Sequence, residues 1–307
     1  MKKTSITIFS FLLLLVTFSS QAQVQLLAGI ERGTYFQLAN EMNDLFPATQ
    51  KIVDQDTIEI PFFDIRSTAG SSINLDLLAD KNHPAKAAIM QFDVLLTNKV
   101  DDVLNGTHIT DDLVVLMPLN IEVIHLVTKK ETGIHSLSDL AGHTIGIGTK
   151  KEGTYFTALH MQSKSDIDWR NRNIDTESAI KALLTDKIEG FFVVASAPMD
   201  MLRLLPTRAG DDFLLPSLEN INGWADYYIP VVIPADTYPW QKEAVSTYAV
   251  PSVIVVNVAK LSDKDKQDLI NLRETTKANL EQLKTNGHVA WKTALTEWDF
   301  KDWPLLQ

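Results

Sequence analysis

Cysteine is absent from all 307 residues of the sequence. Disulfide-stapled scaffolds and thiolate metal sites are therefore excluded, and no lipid can be attached through an N-terminal cysteine. A membrane-spanning run is also missing after residue 22, because the most apolar later segment, VPSVIVVNVA, is short and contains Pro251 and Asn257. The chain also lacks an excess of basic residues, since its net charge is −11. Such a chain fits poorly on nucleic acid or anionic membranes, so we predict no nucleic-acid partner.

Motifs for catalysis and for metal or cofactor binding are missing as well. The seven histidines lie at 83, 108, 125, 135, 143, 160 and 288. None of their spacings is typical of zinc ligands, and no G-x-S-x-G elbow or Walker loop occurs. No pair of carboxylates stands out as an acid/base dyad. We therefore predict no catalytic residue, no metal and no cofactor, and we expect a protein that is not an enzyme.

The first 22 residues predict a secretory signal peptide. Lys2 and Lys3 precede the apolar run ITIFSFLLLLVTF, and SSQA supplies small residues for cleavage before Gln23. At about 13 residues the run is shorter than the ~20 that span a bilayer, so cleavage is favoured over an uncleaved anchor. A cysteine-free exported chain of this size points to a large hydrophobic core and to a bacterial periplasm. We expect a monomer there.

Strands and helices alternate along the rest of the chain, which predicts an α/β fold with mostly parallel sheets. Two successive series suggest two lobes with a ligand cleft between them: lobe 1 at 23–118 plus 245–307, and lobe 2 at 119–244. The chain is expected to cross between them near Pro118–Ile124 and Tyr238–Tyr248. The segment LVVLMPLNIEVIHLVT is predicted as two strands, broken at Pro118 and Asn120.

Helix faces and caps follow from the same patterns. In TYFQLANEMNDLF the spacing predicts one buried face made of Phe36, Ala39, Met42 and Phe46. The segment SSINLDLLAD predicts another helix, with Ser71 and Ser72 in capping positions.

The tetrapeptide GTYF occurs twice, at Gly33–Phe36 and at Gly153–Phe156. Each copy follows a short apolar strand and opens a helix, and ligands of open α/β sheets bind where strands lead into helix N-termini. Arg32 stands beside the first copy, and Lys150 and Lys151 stand beside the second. These basic residues would supply local positive potential for an anionic solute. The alternative interpretation is two ordinary helix starts, with Tyr and Phe in the core and the basic residues in solvent.

The order of segments resembles the TAXI family of solute receptors, the extracytoplasmic components of one class of TRAP transporters. The matching segments are GTYF, TAGSSINL at Thr68–Leu75, QFD at Gln91–Asp93, SLSDLAGHTIGIG with the second Gly-Thr opening, EGFFVVASAPM, and IPADTYPWQKEAVSTYAVPSVIVV. The sequence departs from the family pattern in TKKEGT, which replaces a small-residue approach to the second helix. The resemblance covers nearly all of the chain after residue 22, in order.

The resemblance implies a two-lobed type II periplasmic binding protein fold and a receptor that delivers a small organic acid or amino acid to TRAP-type permease subunits. By position, it implies first-lobe contacts from Thr34 and Tyr35, with Ser71, Asn74 and Gln91 beyond other strand ends. Thr154 and Tyr155 would close from the second lobe. With the local residues added, the full candidate site is Gly33, Thr34, Tyr35, Ser71, Asn74, Gln91, Lys151, Gly153, Thr154 and Tyr155, around a small anionic solute such as a dicarboxylate or glutamate.

Two other functions stay open at this stage, a sensory or regulatory subunit of the same fold and a secreted enzyme. The roles of several aromatic residues are also considered. Trp291, Trp298 and Trp303 are expected to be packing anchors. Tyr227, Tyr228 and Trp240 fit hinge packing and a cleft wall equally well.

Overall fold

The computed structural model of the chain describes residues 24–46, 49–53, 56–205, 213–300 and 303–307. Residues 49–53 and 56–58 are described by their backbone path alone. The predicted signal peptide lies outside the described residues. Within the part that is described, no helix is long and apolar enough to cross a membrane.

The N-terminal elements alternate as predicted, and the chain then enters one long strand. They are β1 (Val24–Leu27), α1 (Thr34–Asp44), β2 (Thr49–Val53), β3 (Asp56–Ile60), β4 (Phe63–Arg66), α2 (Ser71–Ala79), β5 (Ala87–Gln91), α3 (Phe92–Asn105) and β6 (Leu113–Lys129).

The middle elements form a second alternating series, interrupted by three 3₁₀ helices. They are 3₁₀ helices Lys130–Thr132 and Leu137–Leu140, β7 (Thr144–Gly146), α4 (Gly153–Ser165), β8 (Arg170–Arg172), α5 (Thr176–Leu184), β9 (Gly190–Ala195), α6 (Asp200–Arg203), β10 (Phe213–Leu214), 3₁₀ helix Ile221–Gly223 and β11 (Ile229–Ile233).

The C-terminal elements begin with a second long strand and end in helices. They are β12 (Val245–Asn257), 3₁₀ helix Val258–Lys260, α7 (Asp263–Ala278), α8 (Leu280–Asn286) and 3₁₀ helix Val289–Thr293. The predicted tail helix begins where Ser262 and Asp265 form a capping box.

One large sheet runs through the molecule in the order β4-β1-β5-β12-β6-β9-β7-β8, with β10 beside β6 and β11 beside β12. β1 pairs parallel with β4 and β5, while β7 pairs parallel with β8 and β9. The two central strands β12 and β6 are antiparallel to their neighbours β5 and β9. We call β4, β1 and β5 with α1 to α3, α7 and α8 the first half. We call β9, β7 and β8 with α4 to α6 the second half.

The two central strands extend through both halves. β12 pairs with β11 over Val245–Ala249 and with β5 over Ser252–Val256. β6 pairs with β9 only from Val123 onward. The sheet therefore changes partners near the middle of each long strand, and the division of the chain into two lobes at stated boundaries stays a prediction.

The predicted break of β6 at Pro118 and Asn120 is wrong, because β6 is one continuous strand. The register between β6 and β12 shifts at this point, between Pro251 and Val253, and the irregularity accommodates a residue that has no N–H to donate. The Ser252 side chain replaces part of the backbone hydrogen bonding between the two strands. Its Oγ accepts a hydrogen bond from the Asn120 N–H at 3.3 Å and lies 2.8 Å from Asn120 Oδ1.

Two local predictions about helices also need correction. The buried face of α1 contains Tyr35, Leu38, Ala39 and Met42, whereas Phe36 is half-buried. In α2 the residue before the first turn is Gly70, so Ser71 lies in the helix itself, and no side chain caps the start. Gly70 has φ +136°, a conformation that L side chains rarely adopt, which explains why the cap position is a glycine.

The hydrophobic core joins the two halves. One cluster of buried residues includes Leu75 and Phe92 from the first half together with Ile145 and Met161 from the second. Trp291 and Trp303 are buried packing residues, as predicted, and the indole N–H of Trp303 donates to the backbone oxygen of Leu113. The halves are thus packed against each other in this structure.

Candidate functional site

The first GTYF segment directs a tyrosine into the interior. Gly33 precedes the first residue of α1, Thr34, and Tyr35 follows on the inward face at 8% exposure. The Tyr35 hydroxyl donates a hydrogen bond to Glu122 Oε2 at 2.8 Å and lies 3.5 Å from Ser71 Oγ. Glu122 is itself 5% exposed, within the long strand β6. A carboxylate therefore occupies the place to which the tyrosine points.

Gln91 reaches the same carboxylate from the end of β5. Its backbone N–H donates to Ser71 Oγ at 3.1 Å, and its side chain contributes a hydrogen bond to Glu122. Gln91 is 2% exposed, and its Oε1 has no hydrogen-bond partner among the described residues. Three predicted residues, Tyr35, Ser71 and Gln91, are thus brought together around an acid that the predicted site did not include.

The second GTYF segment meets this group through its glycine. A Cβ built on Gly153, the first residue of α4, would lie 1.5 Å from Gln91 Oε1 and 2.3 Å from Gln91 Cδ. Beside it, a Cβ on Gly70 would lie 3.3 Å from the backbone oxygen of Lys151. Both contacts join the two halves. The first turn of α4 is therefore contacted by a first-half side chain.

Asp93 of the first half is hydrogen-bonded to the second half. It lies in the first turn of α3 at 8% exposure, and its Oδ2 accepts from Thr157 Oγ1 of α4 at 2.6 Å and from the Tyr228 hydroxyl at 2.9 Å. Its Oδ1 has no partner among the described residues. We call these residues together the carboxylate cluster. Its members are Tyr35, Ser71, Gln91, Asp93, Glu122, Gly153, Thr157 and Tyr228.

Burial governs the acidity of the cluster. It raises the pKa of Glu122 from 4.5 to about 7, although hydrogen bonds from Tyr35 and Gln91 oppose the rise, and the nearby Asp93 charge adds to it. Burial also raises the pKa of Asp93, against the hydrogen bonds from Thr157 and Tyr228. The pKa of Tyr35 is raised well above 10 by burial and by the charge of Glu122. Both tyrosines of the cluster therefore act as neutral hydrogen-bond donors, since burial raises the pKa of Tyr228 in the same way.

Two predicted site residues are hydrogen-bonded to neighbouring segments and not to the cluster. Asn74 is fully buried, donates through Nδ2 to the Ile89 backbone oxygen at 2.7 Å, and accepts from Thr68 Oγ1 at 2.6 Å. Thr154 Oγ1 accepts the backbone N–H of Val194 at 3.0 Å, within the second half. These bonds place the helix starts relative to neighbouring strands.

The other predicted residues lie at the margin. Gly33 and Thr34 are half-buried at the start of α1. Tyr155 is half-buried, with its ring centroid 5.5 Å from that of Phe156. Lys151 is exposed, as is Lys150. The positive potential expected from these lysines is therefore at the surface, whereas the buried ionisable groups of the cluster are acids.

Sequence reasoning missed Glu122, Asp93 and Thr157. Glu122 is the single acid in the apolar run LNIEVIHLVT, and a lone carboxylate inside a buried strand is a usable signal. Asp93 stands in the QFD segment, of which only Gln91 was chosen. For Tyr228, which fits hinge packing and a cleft wall equally well by sequence, the structure shows a hydrogen bond to Asp93, whereas Tyr227 is 59% exposed.

No group of three or more possible metal ligands of the His, Cys, Asp or Glu type is found in the described part of the chain. The buried His125 lies outside the cluster: its Nε2 is 2.8 Å from the Tyr238 hydroxyl, and burial lowers its pKa to about 4. The carboxylate cluster is therefore a hydrogen-bonding site built from oxygen atoms, with tyrosine and threonine hydroxyls as donors.

Comparisons with solved structures identify the fold. A binding protein component of an ABC phosphonate transporter from Pseudomonas aeruginosa has a TM-score of 0.51 at 14% identity, covering 89% of this chain and 82% of that one. An arginine-specific periplasmic binding protein from Salmonella typhimurium has a TM-score of 0.51 at 14% identity, covering 87% and 99%. A Xanthomonas citri protein bound to ATP has a TM-score of 0.50 at 12% identity, covering 91% and 92%.

At these identities the likeness establishes the fold, and the predicted α/β fold of periplasmic binding proteins is confirmed. Among curated proteins, none matches the sequence significantly. The model of the NMT1-like family matches residues 26–297, which include every member of the carboxylate cluster. The chain belongs to the NMT1-like family.

Proposed function

We propose that this protein is a periplasmic solute-binding receptor that captures a small organic acid or amino acid and delivers it to a TRAP-type permease. The observation that carries the proposal is the carboxylate cluster, which is buried, polar and contributed by both halves. Ordinary packing between two halves needs no such group, because burying polar atoms costs free energy unless each finds a partner. A binding site explains why the polar atoms are there.

The cluster also provides a means of coupling solute binding to closure. Asp93 of the first half accepts a hydrogen bond from Thr157 of the second, and Gln91 contacts Gly153, so we expect both contacts to be lost when the halves separate. Since every residue of the cluster is buried, a solute reaches them only when the halves separate. A solute that contacts both halves then favours the closed form by its difference in affinity for the two forms.

We propose that the solute contacts Tyr35, Ser71, Gln91, Asp93 and Glu122, with Gly153 at the second helix start. Thr34, Gly33, Tyr155 and Lys151 lie at the margin and would contact the parts of the solute nearest the surface. Asn74 and Thr154 position the two helix starts. This proposal keeps the sequence-predicted residues and adds the two acids found in the structure.

The TRAP-type partner is proposed on the order of the sequence segments that resemble TAXI receptors. Binding proteins of similar fold serve ABC transporters, as the phosphonate receptor does. Reconstituting the protein with the permease encoded beside its gene separates the two partners. Solute uptake that continues without ATP supports the TRAP-type assignment, and uptake that stops without ATP identifies an ABC partner.

The receptor function is tested by identifying the solute. Native mass spectrometry of protein purified without added ligand is expected to show a bound organic acid or amino acid. Protein that has been unfolded and refolded to remove the solute is then expected to gain thermal stability when that compound is added. Neutral sugars as the only stabilising compounds would contradict the proposed class.

A further inference from the structure

We infer that the carboxylate cluster binds a positively charged amino group of the solute, and that Glu122 releases a proton when this group binds. The inference rests on the proposed receptor function and specifies which part of the solute the cluster recognises.

With Glu122 ionised, the cluster has more acceptors than donors. Glu122 and Asp93 are both buried carboxyl groups, and two further observations show unmet acceptor capacity: Gln91 Oε1 and Asp93 Oδ1 lack partners among the described residues. An unpartnered buried acceptor costs about 1–3 kcal/mol. An ammonium group offers three N–H donors and no acceptor, which is the chemistry these oxygens lack. A carboxylate in the same place would add acceptors to a site that already has too many.

The charges that face Glu122 support the same chemistry. Tyr35 faces it from α1 and is a neutral donor, while Asp93 of α3 adds negative charge. Gln91 faces it from β5, while Ser71 of α2 lies against Tyr35 and Gln91, and neither side chain titrates. Val250 of the adjacent strand β12 is apolar. His160 of α4 interacts with Asp93 rather than with Glu122, and its Nε2 donates to the Trp224 backbone oxygen at 3.0 Å. A cation from the solute would balance the two acids.

Proton release follows from this arrangement. Without a nearby positive charge, Glu122 holds its proton up to about pH 7 because it is buried. An ammonium group at hydrogen-bonding distance favours the ionised carboxylate, so the proton passes to solvent as the solute binds. Below pH 7 the affinity is then expected to rise about tenfold per pH unit, and to level off above pH 7.

The test uses three probes, L-glutamate, glutarate and 4-aminobutyrate, titrated calorimetrically into refolded full-length protein. Glutarate is glutamate without its amino group, and 4-aminobutyrate is glutamate without its α-carboxylate. We expect glutarate to bind at least tenfold more weakly than glutamate, and the loss for 4-aminobutyrate to be smaller. Titrations at pH 6 in two buffers of different ionisation enthalpy are expected to show close to one proton released per solute, falling to near zero at pH 8.5.

The variants Glu122→Gln and Asp93→Asn are expected to weaken glutamate binding at least tenfold, and Glu122→Gln is also expected to abolish proton release. Their matched controls are Glu281→Gln and Asp101→Asn, which change exposed acids and are expected to bind like the unmodified protein. The probe comparison in the unmodified protein stands even if a variant fails to fold.

The outcomes separate the two levels of the proposal. Glutarate binding as tightly as glutamate, or proton uptake on binding, would overturn the inference while leaving an organic-acid receptor in place. Failure of all three probes to bind would count against the proposed solute class, and the inference would fall with it.

Discussion

The two GTYF segments have the same sequence and begin helices after short strands, yet different residues of each contact the carboxylate cluster. In the first, the helix begins at Thr34, the glycine lies outside it, and Tyr35 is buried with its hydroxyl on Glu122. In the second, the helix begins one residue earlier in the motif, at Gly153, and Tyr155 stays half-buried against Phe156. Identical tetrapeptides thus present different groups to the cluster, the tyrosine from one and the bare glycine from the other.

The largest expected effect is on the pH dependence of stability, and it comes from Glu122, which only the first of the two tyrosines contacts. An unfolded glutamate ionises above pH 4.5, whereas folded Glu122 keeps its proton until about pH 7. The unfolded state thus binds fewer protons in this window, so the free energy of unfolding falls as pH rises. A pKa change from 4.5 to about 7 corresponds to about 3 kcal/mol.

The measurement is urea unfolding at pH 4.5 to 7.5 of the unmodified protein and of Glu122→Gln. The variant is expected to lack this loss of about 3 kcal/mol, because glutamine does not titrate. The control Glu281→Gln changes an acid whose side chain is 87% exposed and is expected to keep the loss. Parallel curves for Glu122→Gln and the unmodified protein would contradict the buried proton.

A smaller effect is expected from adding one methyl group to each glycine. Gly153→Ala places a Cβ where Gln91 now lies, which should cost about 2 kcal/mol by overpacking and weaken solute binding. Gly33→Ala meets the backbone oxygen of Ile30 at 3.0 Å, but its φ of −86° suits alanine, so we expect a loss below about 1 kcal/mol. Urea unfolding measures the loss of stability in each variant, and small-angle scattering measures whether the halves stay together. Equal losses for the two variants would show that the close contact at Gly153 does not matter.

The smallest effect is expected from removing each hydroxyl. Tyr35→Phe deletes the donor to a buried carboxyl group and should lower the free energy of unfolding by about 1 kcal/mol. Tyr155→Phe changes a half-buried side chain and should stay within about 0.5 kcal/mol. Thermal unfolding compares the pair, and a larger loss for Tyr155→Phe would reverse the roles assigned to the two copies.

Sequence patterns predicted the α/β fold because strand and helix periods are local, but the expected mostly parallel sheet is wrong, since β12 and β6 pair antiparallel with each other and with β5 and β9. The pattern located β1, β5 and β9, and it found both helix starts to within a residue. It failed at Pro118, where a proline suggested a strand end and the bulge opposite Ser252 kept the strand intact. That compensation comes from a residue more than a hundred positions away, which no local pattern contains.

The candidate site was predicted in part for the same reason. The GTYF segment indicated Tyr35, and the resemblance to TAXI receptors implied Ser71 and Gln91, and the structure brings these three residues together. Neither selected Glu122, whose importance depends on Tyr35 of α1, Gln91 of β5 and Asp93 of α3 meeting around it. The contact between Gln91 and Gly153 likewise joins distant segments, so no local pattern contains it.

The two long strands have a mechanical consequence. Because β6 and β12 belong to both halves and are hydrogen-bonded to each other along most of their length, the halves share a two-stranded ribbon in place of a loose linker. Separating the halves must bend or twist this ribbon, whose register is irregular beside Ser252 and Asn120. A two-stranded ribbon permits rotation about few axes. Each opening would then return the same side chains to the same partners.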